Sequence, residues 1–305
     1  MNENAPAHDR KRSYLIAQTE IAARPLAPAL YLVATPIGNL ADITLRALET
    51  LAAADVLACE DTRVTRVLLT RYGISARPYA YHEHNAAEVG PRLIAALDAG
   101  RSVALVSDAG TPLVSDPGYR LVGEAIAAGH RVVPVPGASA PLAALTASGL
   151  PTDAFLFAGF LPQKDGQRRT RLEALKAIQT TLLFFESPNR LADSLVAMRD
   201  VLGKDRPAAV GRELTKAFEE MRRGTLEELA AHYADADTPK GEIVVCVGPP
   251  AEEKVLDAGD VDRLLLALAA EMPASGAAAE AARMTGLKKP DLYRRLLELR
   301  QDERG

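Results

Sequence analysis

The segment 101–118, RSVALVSDAGTPLVSDPG, constrains the fold most, because an apolar run breaks there into two turns rich in acidic residues, Gly and Pro. Residues 103–106 are small or β-branched and show no polar alternation, which is typical of a strand covered on both faces. Gly110 in the following turn permits backbone angles and a close ligand approach that a Cβ would forbid. Ligands of open parallel sheets bind beyond the carboxyl ends of the strands, so the turn is a candidate ligand loop. By itself, this motif fits an ordinary strand-to-helix connection equally well.

The same pattern of a short apolar run followed by a polar turn recurs through the first half of the chain. It predicts strands at 30–34, 55–59, 79–81, 103–106 and 131–135, with amphipathic helices between them. Strands that alternate with helices indicate a parallel sheet with right-handed crossovers. We therefore expect an N-terminal α/β domain over residues 29–136.

The remaining chain divides into three parts. More aromatic strands at 154–160 and 181–185, with others at 208–213 and 242–247 and a possible short one at 219–223, predict a second α/β domain over 137–248. Prolines and charge mark 249–260 as a linker, and helical periodicity predicts a small helical domain over 261–305. Residues 1–28 are polar and are expected to be a poorly ordered leader.

Composition narrows the function classes. The 305 residues are 48% hydrophobic and 25% charged, which is ordinary for a globular protein. Tryptophan is absent and the formal net charge is −4, which argues against large base-stacking platforms and a globally basic nucleic-acid coat. Cys59 and Cys246 belong to no CxxC pair and are expected to be buried, reduced thiols. No apolar stretch approaches the roughly 20 residues that span a bilayer, and the first residues lack an apolar signal core, so we expect a cytoplasmic protein.

Seven motifs occur in order along the chain. They are VATPIGNLADIT (33–44), CEDTR (59–63), YHEHN (81–85), VSDAGTPLVSDPG (106–118), PVPGASA (134–140), FFESPNRL (184–191) and GRELTKAFEE (211–220). As a set they closely resemble the bacterial 16S ribosomal RNA cytidine 2′-O-ribose methyltransferases, a branch of the tetrapyrrole methylase superfamily. The resemblance extends over about residues 30–247, and the Ala-rich helical tail is similar to the C-terminal domain of those enzymes.

The resemblance implies an α/β fold of two domains, a parallel-sheet N-terminal domain and a mixed-sheet second domain, followed by a small C-terminal helical domain. It also implies a homodimer that binds S-adenosyl-L-methionine between the two domains and methylates a cytidine ribose in the decoding region of 16S rRNA, within the small ribosomal subunit. Carried over by motif, the residues that would contact S-adenosylmethionine are Thr35, Pro36, Gly38, Asp108, Ala109, Gly110, Thr111, Ala138, Ser139 and either Phe184 or Phe185.

The same resemblance leaves the general base open. Candidates are Glu60, Asp61, His82, His84, Glu213 and Lys216, of which Asp61, Glu213 and Lys216 are the preferred catalytic residues. We expect that the site has no strong base and that the hydroxyl loses its proton late, to Asp61 or Glu213. Lys216 could act as a base if desolvated, or anchor a phosphate while charged. Glu213 and Lys216 could pair if their segment turns helically, although an ordinary surface ion pair is the simpler interpretation.

Other expectations concern metals and RNA. His82 and His84 alternate as in a strand, but no further ligands lie nearby in sequence, so we expect no metal. The helical tail carries Lys288, Lys289, Arg294, Arg295 and Arg300, which could contact phosphates or simply be solvated. Two alternatives stay open: a tetrapyrrole or corrin C-methyltransferase, whose first loop should resemble GxGPGD rather than ATPIGN, and a non-catalytic ribosome-assembly factor.

Overall fold

The computed structural model describes residues 11–115, 118–251 and 258–302. The chain divides into two compact units, Met1–Pro250 and Ala251–Gly305. The first unit contains two five-stranded sheets and a separate hairpin, and the second contains helices only.

Part of the predicted leader is an ordered hairpin. Strand β1 (Ser13–Ile16) pairs antiparallel with β2 (Thr19–Ala22), and Tyr14 is buried in the core of the first sheet. The Leu15 amide donates to the Tyr72 carbonyl at 2.8 Å. The prediction of disorder for residues 11–28 is therefore wrong, because this hairpin lacks a Gly or Asn turn signal and depends on tertiary packing. The leader residues 1–10 lie outside the described part.

The first sheet is parallel throughout. Its strands are β3 (Leu30–Val33), β4 (Val56–Cys59), β5 (Pro78–Ala80), β6 (Val103–Val106) and β7 (Val132–Val135), in the order β5-β4-β6-β3-β7. The helices between them are α1 (Leu45–Ala53), α2 (Thr62–Arg71), α3 (Ala86–Asp98) and α4 (Tyr119–Ala127). All four residues of β6 are buried, as the apolar run predicts for a central strand. The carboxyl ends of β3 and β6 consequently lie side by side.

The second sheet is mixed. Its strands are β8 (Phe155–Phe160), β9 (Thr181–Glu186), β10 (Pro207–Arg212), β11 (Glu220–Thr225) and β12 (Ile243–Val247), in the order β11-β10-β12-β9-β8. Only β8 and β9 pair in parallel, and the other three pairs are antiparallel. The α/β fold with a parallel and a mixed sheet is thus confirmed.

Four helices accompany the second sheet: α5 (Ala140–Ser148), α6 (Asp165–Leu175), α7 (Leu191–Leu202) and α8 (Leu226–Asp235). Sequence patterns did not indicate α5 or α7. Helix α5 is apolar on most sides and buries Ala144 and Leu145 against the second sheet, so it has no clear amphipathic period. Helix α5 packs against one face of the second sheet. Helices α6, α7 and α8 pack against the opposite face, where they form the main apolar core with the sheet.

The second unit consists of α9 (Ala258–Glu271), α10 (Ala274–Thr285) and α11 (Lys289–Asp302). Leu265, Ala278 and Leu296 form the centre of its own apolar core. Gly286 ends α10 in the left-handed conformation, with φ 71°, which a glycine adopts without strain. No helix within the described ranges is long and apolar enough to cross a membrane.

Candidate functional site

Two loops join at the carboxyl ends of β3 and β6. The Thr35 amide donates to the Gly110 carbonyl at 2.8 Å, and the Gly110 amide donates to the Thr35 carbonyl at 3.1 Å. The Thr35 hydroxyl also donates to the Ser107 carbonyl at 3.2 Å. Gly110 has φ 78°, and a Cβ there would lie 3.3 Å from Cγ2 of Ile37. The two candidate ligand loops therefore form one rigid surface, and its geometry requires glycine at position 110.

A cavity of about 360 Å³, called cavity A, lies between these loops and the second sheet. Its apolar wall comes from both sheets and includes Ile37, Val114, Phe160, Phe185, Ile243 and Val244. Its polar wall includes Thr111, Ser115, Ser139, Glu186, Ser187 and Glu242. Among the described lining residues there is no Lys or Arg, and the two ionisable side chains are both carboxylic acids. Both carboxylates have a basic partner, because Glu186 lies 3.5 Å from Nε of Arg190 and Glu242 lies 3.1 Å from Nζ of Lys216. Without Lys or Arg in its described lining, cavity A is a poor site for a phosphate group.

Only one of the two candidate phenylalanines reaches cavity A. Phe185 lines the cavity and packs edge-on against Phe157, with ring centroids 4.9 Å apart. Phe184 is fully buried in the core on the other face of the sheet. Successive side chains of a strand point to opposite faces, so the prediction that offered either ring is corrected to Phe185 alone.

A second cavity of about 320 Å³, called cavity B, adjoins cavity A on the side of α2. Its lining includes Thr35, Pro36, Gly38, Ser107, Asp108 and Lys216, with Val64 and Val67 from α2. Ile37, Ala109 and Glu242 line both cavities. The two cavities are therefore neighbours separated by a thin wall of three residues.

Lys216 is held over cavity B by two carboxylates. Its Nζ lies 2.6 Å from Oε1 of Glu213 and 3.1 Å from Oε2 of Glu242. Its aliphatic stem lies against Gly38, where a Cβ would be 2.4 Å from Lys216 Cγ. This Glu213–Lys216–Glu242 cluster, the acidic clamp below, connects the loop after β3 with the second sheet.

The loop that carries Lys216 is not helical. Glu213 and Thr215 have φ angles of 51° and 68°, which non-glycine residues rarely adopt. The Glu213 amide donates to the Glu242 carbonyl at 2.9 Å, and the Thr215 amide donates to Oε2 of Glu219 at 2.5 Å. The helical turn that the spacing suggested does not form, yet the Glu213–Lys216 pair does, because these hydrogen bonds hold a tighter turn. Surrounding contacts thus maintain the backbone strain.

The acidic clamp fixes the charges of its members. Hydrogen bonding to Lys216 lowers the pKa of Glu213. Partial burial opposes the charged form of Lys216, but hydrogen bonds to Glu213 and Glu242 prevail and raise its pKa. Lys216 is therefore a cation at neutral pH and cannot serve as a general base.

The Asp61 carboxylate caps the N-terminus of α2. It accepts from the Arg63 amide at 2.7 Å and from the Arg63 guanidinium at 2.6 Å. These bonds to Arg63 lower the pKa of Asp61 to about 2. The Asp61 amide donates to Oδ1 of Asp108 at 2.8 Å, so Asp61 supports a cavity B residue without lining either cavity.

The sequence-predicted residues thus separate into groups. Cavity A is lined by Ala109, Gly110, Thr111, Ser139 and Phe185. Cavity B is lined by Thr35, Pro36, Gly38, Asp108, Ala109 and Lys216. Ala138 lines a third pocket, which Ile37 also lines, and its carbonyl accepts from the Thr111 hydroxyl at 3.3 Å. Glu213 lines neither cavity and forms an ion pair with Lys216. Among the other base candidates, neither Glu60 nor the His82 and His84 pair lines cavity A or B.

Sequence reasoning missed Ile37, Glu186 and Glu242 as site residues. Ile37 and Glu186 stood inside quoted motifs, whereas Glu242 was read only as the first residue of a strand. The available signal was an acidic residue directly after Gly241 and directly before the first residue of β12. His82 and His84 lie in a turn after β5, with ring centroids 5.9 Å apart, rather than in a strand. No group of three or more His, Cys, Asp or Glu side chains that could hold a metal occurs within the described residues.

Comparisons with known proteins agree with this architecture. Residues 29–230 match the family described as Tetrapyrrole (Corrin/Porphyrin) Methylases, and residues 255–300 match the RsmI C-terminal HTH domain. The chain is 77% identical over 286 residues to Ribosomal RNA small subunit methyltransferase I of Mesorhizobium japonicum, covering 94% of this chain and 97% of that protein. It is 50% identical over 271 residues to the Escherichia coli O157:H7 protein of the same name, covering 88% and 94% respectively.

Solved structures show the same fold at lower identity. Diphthine synthase aligns with a TM-score of 0.56 at 21% identity, over 72% of this chain and 89% of that chain. Uroporphyrin-III C-methyltransferase from Thermus thermophilus, complexed with S-adenosyl homocysteine, aligns with a TM-score of 0.51 at 21% identity, over 72% and 96%. By sequence and by fold, the chain belongs to the ribosomal RNA small subunit methyltransferase I family of the tetrapyrrole (corrin/porphyrin) methylases.

Proposed function

We propose that this methyltransferase transfers a methyl group from S-adenosylmethionine to the 2′-hydroxyl of a cytidine ribose in the decoding region of 16S rRNA, acting on the small ribosomal subunit in the cytoplasm. The observation that carries the proposal is the pair of adjoining cavities, one with no Lys or Arg among its described lining residues and one lined by Lys216. The names of the relatives support the class of substrate.

Cavity A fits the methyl donor. A volume of about 360 Å³ suits a nucleoside-sized ligand, and the apolar wall with Phe185 offers a surface for its rings. Bound there, S-adenosylmethionine would supply an electrophilic methyl group on a cationic sulfonium. The described lining brings no Lys or Arg into cavity A, so no cationic side chain there would repel the sulfonium. Thr111 and Ser139 would hydrogen-bond its polar groups.

Cavity B fits the acceptor ribose. Gly38 leaves room for the stem of Lys216, whose ammonium group lines the cavity. Glu213 and Glu242 accept two of its three hydrogens, so the third can be donated to an oxygen of the acceptor nucleotide. Holding the two reacting groups in neighbouring cavities converts a bimolecular step into an effectively unimolecular one. Such orientation contributes roughly 7–11 kcal/mol to rate enhancement. Positioning is therefore the main source of catalysis in this proposal.

The three preferred catalytic residues take different roles. Lys216 orients the acceptor as a cation, and Glu213 positions Lys216 at 2.6 Å. Asp61, with its pKa lowered to about 2, is a weak proton acceptor and instead supports Asp108 through its backbone amide. Neither Asp61 nor Glu213 is then well suited to accept the hydroxyl proton.

The C-terminal unit would bind RNA. Lys288 and Lys289, at the start of α11, are exposed and have no ion-pair partner among the described residues. Arg294 pairs with Asp291 at 2.7 Å, Arg295 pairs with Asp262 at 2.7 Å, and Arg300 donates to the Ala269 carbonyl at 3.1 Å, so these three have partners within the unit. Phosphate contacts are therefore assigned to the two lysines rather than to all five basic residues.

A homodimer is also proposed. In the described part of the chain, β8 pairs only with β9, and this edge strand leaves Phe155 44% exposed. An edge strand with an exposed aromatic residue is a natural association surface. Light scattering of the purified protein measures its mass in solution; a monomer at micromolar concentration would contradict the dimer.

One experiment tests the reaction. The protein is incubated with methyl-labelled donor and small subunits from a strain that lacks the enzyme, and the modified nucleotide is mapped. Label on a cytidine 2′-oxygen is expected. Label on a tetrapyrrole would favour the corrin-type alternative, against which the ATPIGN loop argues, and donor binding without transfer would favour an assembly factor.

A further inference from the structure

Glu242 occupies a distinctive position in the site. Of the three residues that line both cavities, Ile37 and Ala109 have no ionisable group, so Glu242 alone brings a carboxylate to the shared wall. Its side chain is 71% exposed. A hydroxyl in cavity B that faces a methyl group in cavity A would therefore meet Glu242 at the boundary between them.

Hydrogen bonds hold the Glu242 backbone and leave part of its carboxylate available. Its amide donates to Oε1 of Glu213 at 3.1 Å, and its carbonyl accepts from the Glu213 amide at 2.9 Å. Oε2 lies 3.1 Å from Lys216 Nζ. Within the described ranges no protein group donates to Oε1. One oxygen is thus anchored, and the other can receive a substrate hydrogen.

The other nearby carboxylates are less suitable. The Glu186 side chain is fully buried, and its oxygens accept from the Ser187 amide at 2.8 Å and the Ser194 hydroxyl at 2.6 Å. Oδ1 of Asp108 accepts from the Asp61 amide at 2.8 Å, and Asp108 lines cavity B only. Glu213 forms an ion pair with Lys216 and lines neither cavity A nor cavity B. Among the described lining residues, only Glu242 combines access to both cavities with an oxygen that accepts no hydrogen bond from the protein.

We propose that Glu242 is a catalytic residue that accepts the proton of the acceptor hydroxyl, an inference that rests on the proposed function. The O–H bond breaks as its proton passes to Oε1, while an O–C bond forms to the methyl carbon. The C–S bond breaks at the same time, and its electron pair remains on sulfur as a neutral thioether. Atoms and charge balance without a further reactant, and Lys216 keeps the carboxylate in place.

Single-turnover methyl transfer to unmethylated small subunits tests the proposal with Glu242→Gln and Glu242→Ala in the full chain. Both substitutions should slow transfer by about 10²–10⁴-fold, the contribution of a general base. Donor affinity, measured by calorimetry without RNA, should fall far less than the transfer rate, because the Glu242 carboxylate is already paired with Lys216. Added formate should restore part of the rate of Glu242→Ala, because a small carboxylate can replace a missing base but cannot replace a structural contact.

Two further variants distinguish a Glu242 that accepts the proton from a Glu242 that only positions Lys216. Glu227→Gln, in an exposed pair with Arg199 at 3.7 Å, is the matched control and should behave as wild type. If Glu242 acted only by holding Lys216, Glu242→Gln would cause no added loss in a Lys216→Met background; the proposal expects a further decrease. Wild-type transfer by Glu242→Gln, or no formate rescue of Glu242→Ala, would overturn the role of Glu242 alone. Absence of transfer by the wild-type protein would overturn the proposed function and this role together.

Discussion

Lys216 lies directly across Gly38, so closely that a Cβ on the glycine would be 2.4 Å from Lys216 Cγ and 2.8 Å from Cε. The contact joins the loop after β3 to the loop between β10 and β11. A side chain at position 38 would therefore displace the stem whose ammonium group is shared by Glu213 and Glu242. Because Gly38 has no side chain, the ammonium group of Lys216 can reach cavity B.

Gly38→Ala should impair methyl transfer more than it impairs folding. The added methyl group must move Lys216 near Cγ, which is not the flexible end of the side chain, and the acidic clamp then loses its geometry. We expect the transfer rate to fall by about tenfold or more, corresponding to about 1.4 kcal/mol of transition-state stabilisation. Single-turnover kinetics and the melting temperature measure the two effects.

Gly123→Ala is the control for that change. Gly123 lies within α4, and a Cβ there would have nothing within 4 Å. Alanine in a helix is favoured over glycine by about 1 kcal/mol, so this variant should be as stable as wild type or more so, with unchanged transfer. Equal rates for Gly38→Ala and Gly123→Ala would show that the position of Lys216 does not matter.

The two neighbouring phenylalanines should give opposite results. Phe184→Ala removes a fully buried ring from the core around α6, α7 and α8 and should reduce the free energy of unfolding by about 3–5 kcal/mol. Phe185→Ala should cost less stability but weaken donor binding, because its ring lines cavity A. Denaturant unfolding and donor calorimetry distinguish them; weakened donor binding by the stably folded fraction of Phe184→Ala would refute the assignment.

Asp61→Asn should leave the reaction largely intact. Asparagine caps a helix about as well as aspartate does, and the Asp61 backbone amide that supports Asp108 is unchanged. Because bonds to Arg63 lower the pKa of Asp61 to about 2, its contribution to stability is present above the ordinary value of 3.8 and is lost only as pH falls through the lower value. Wild-type and variant pH–rate profiles should therefore coincide between about pH 5 and 9. Loss of an acidic limb in the variant would return Asp61 to the list of proton acceptors.

Removing residues 251–305 should separate RNA binding from donor binding. The boundary between the two compact units falls after Pro250, and both cavities lie in the first unit. Calorimetry should give the wild-type donor affinity, whereas binding to small subunits should weaken and lose part of its salt dependence. Lys288→Ala with Lys289→Ala in the full chain should reproduce much of the loss. Unchanged subunit binding in both proteins would contradict an RNA contact in this unit.

Particular elements explain which features could be predicted. The uniform apolar run at 103–106 identifies a central parallel strand because both of its faces are covered, and all four residues are buried. Helix α5 escaped prediction because it is surrounded by apolar contacts and shows little periodicity. The β1–β2 hairpin escaped because its stability comes from packing Tyr14 against the first sheet. Periodicity detects elements with one solvated face and fails for elements buried on several sides.

The sequence by itself determined the alternation of strands and helices, the positions of the candidate ligand loops at strand ends and, through seven ordered motifs, the resemblance to a methyltransferase family. These features depend on local pattern and on residue types that one stretch of chain contains. Only the tertiary structure decided that Phe185 rather than Phe184 faces cavity A, that Lys216 is held by two carboxylates, and that Glu242 lies on the wall between the cavities. Those relationships join residues as far apart as Gly38 and Glu242, whose proximity arises from the packing of one sheet against another and from no local preference of the chain.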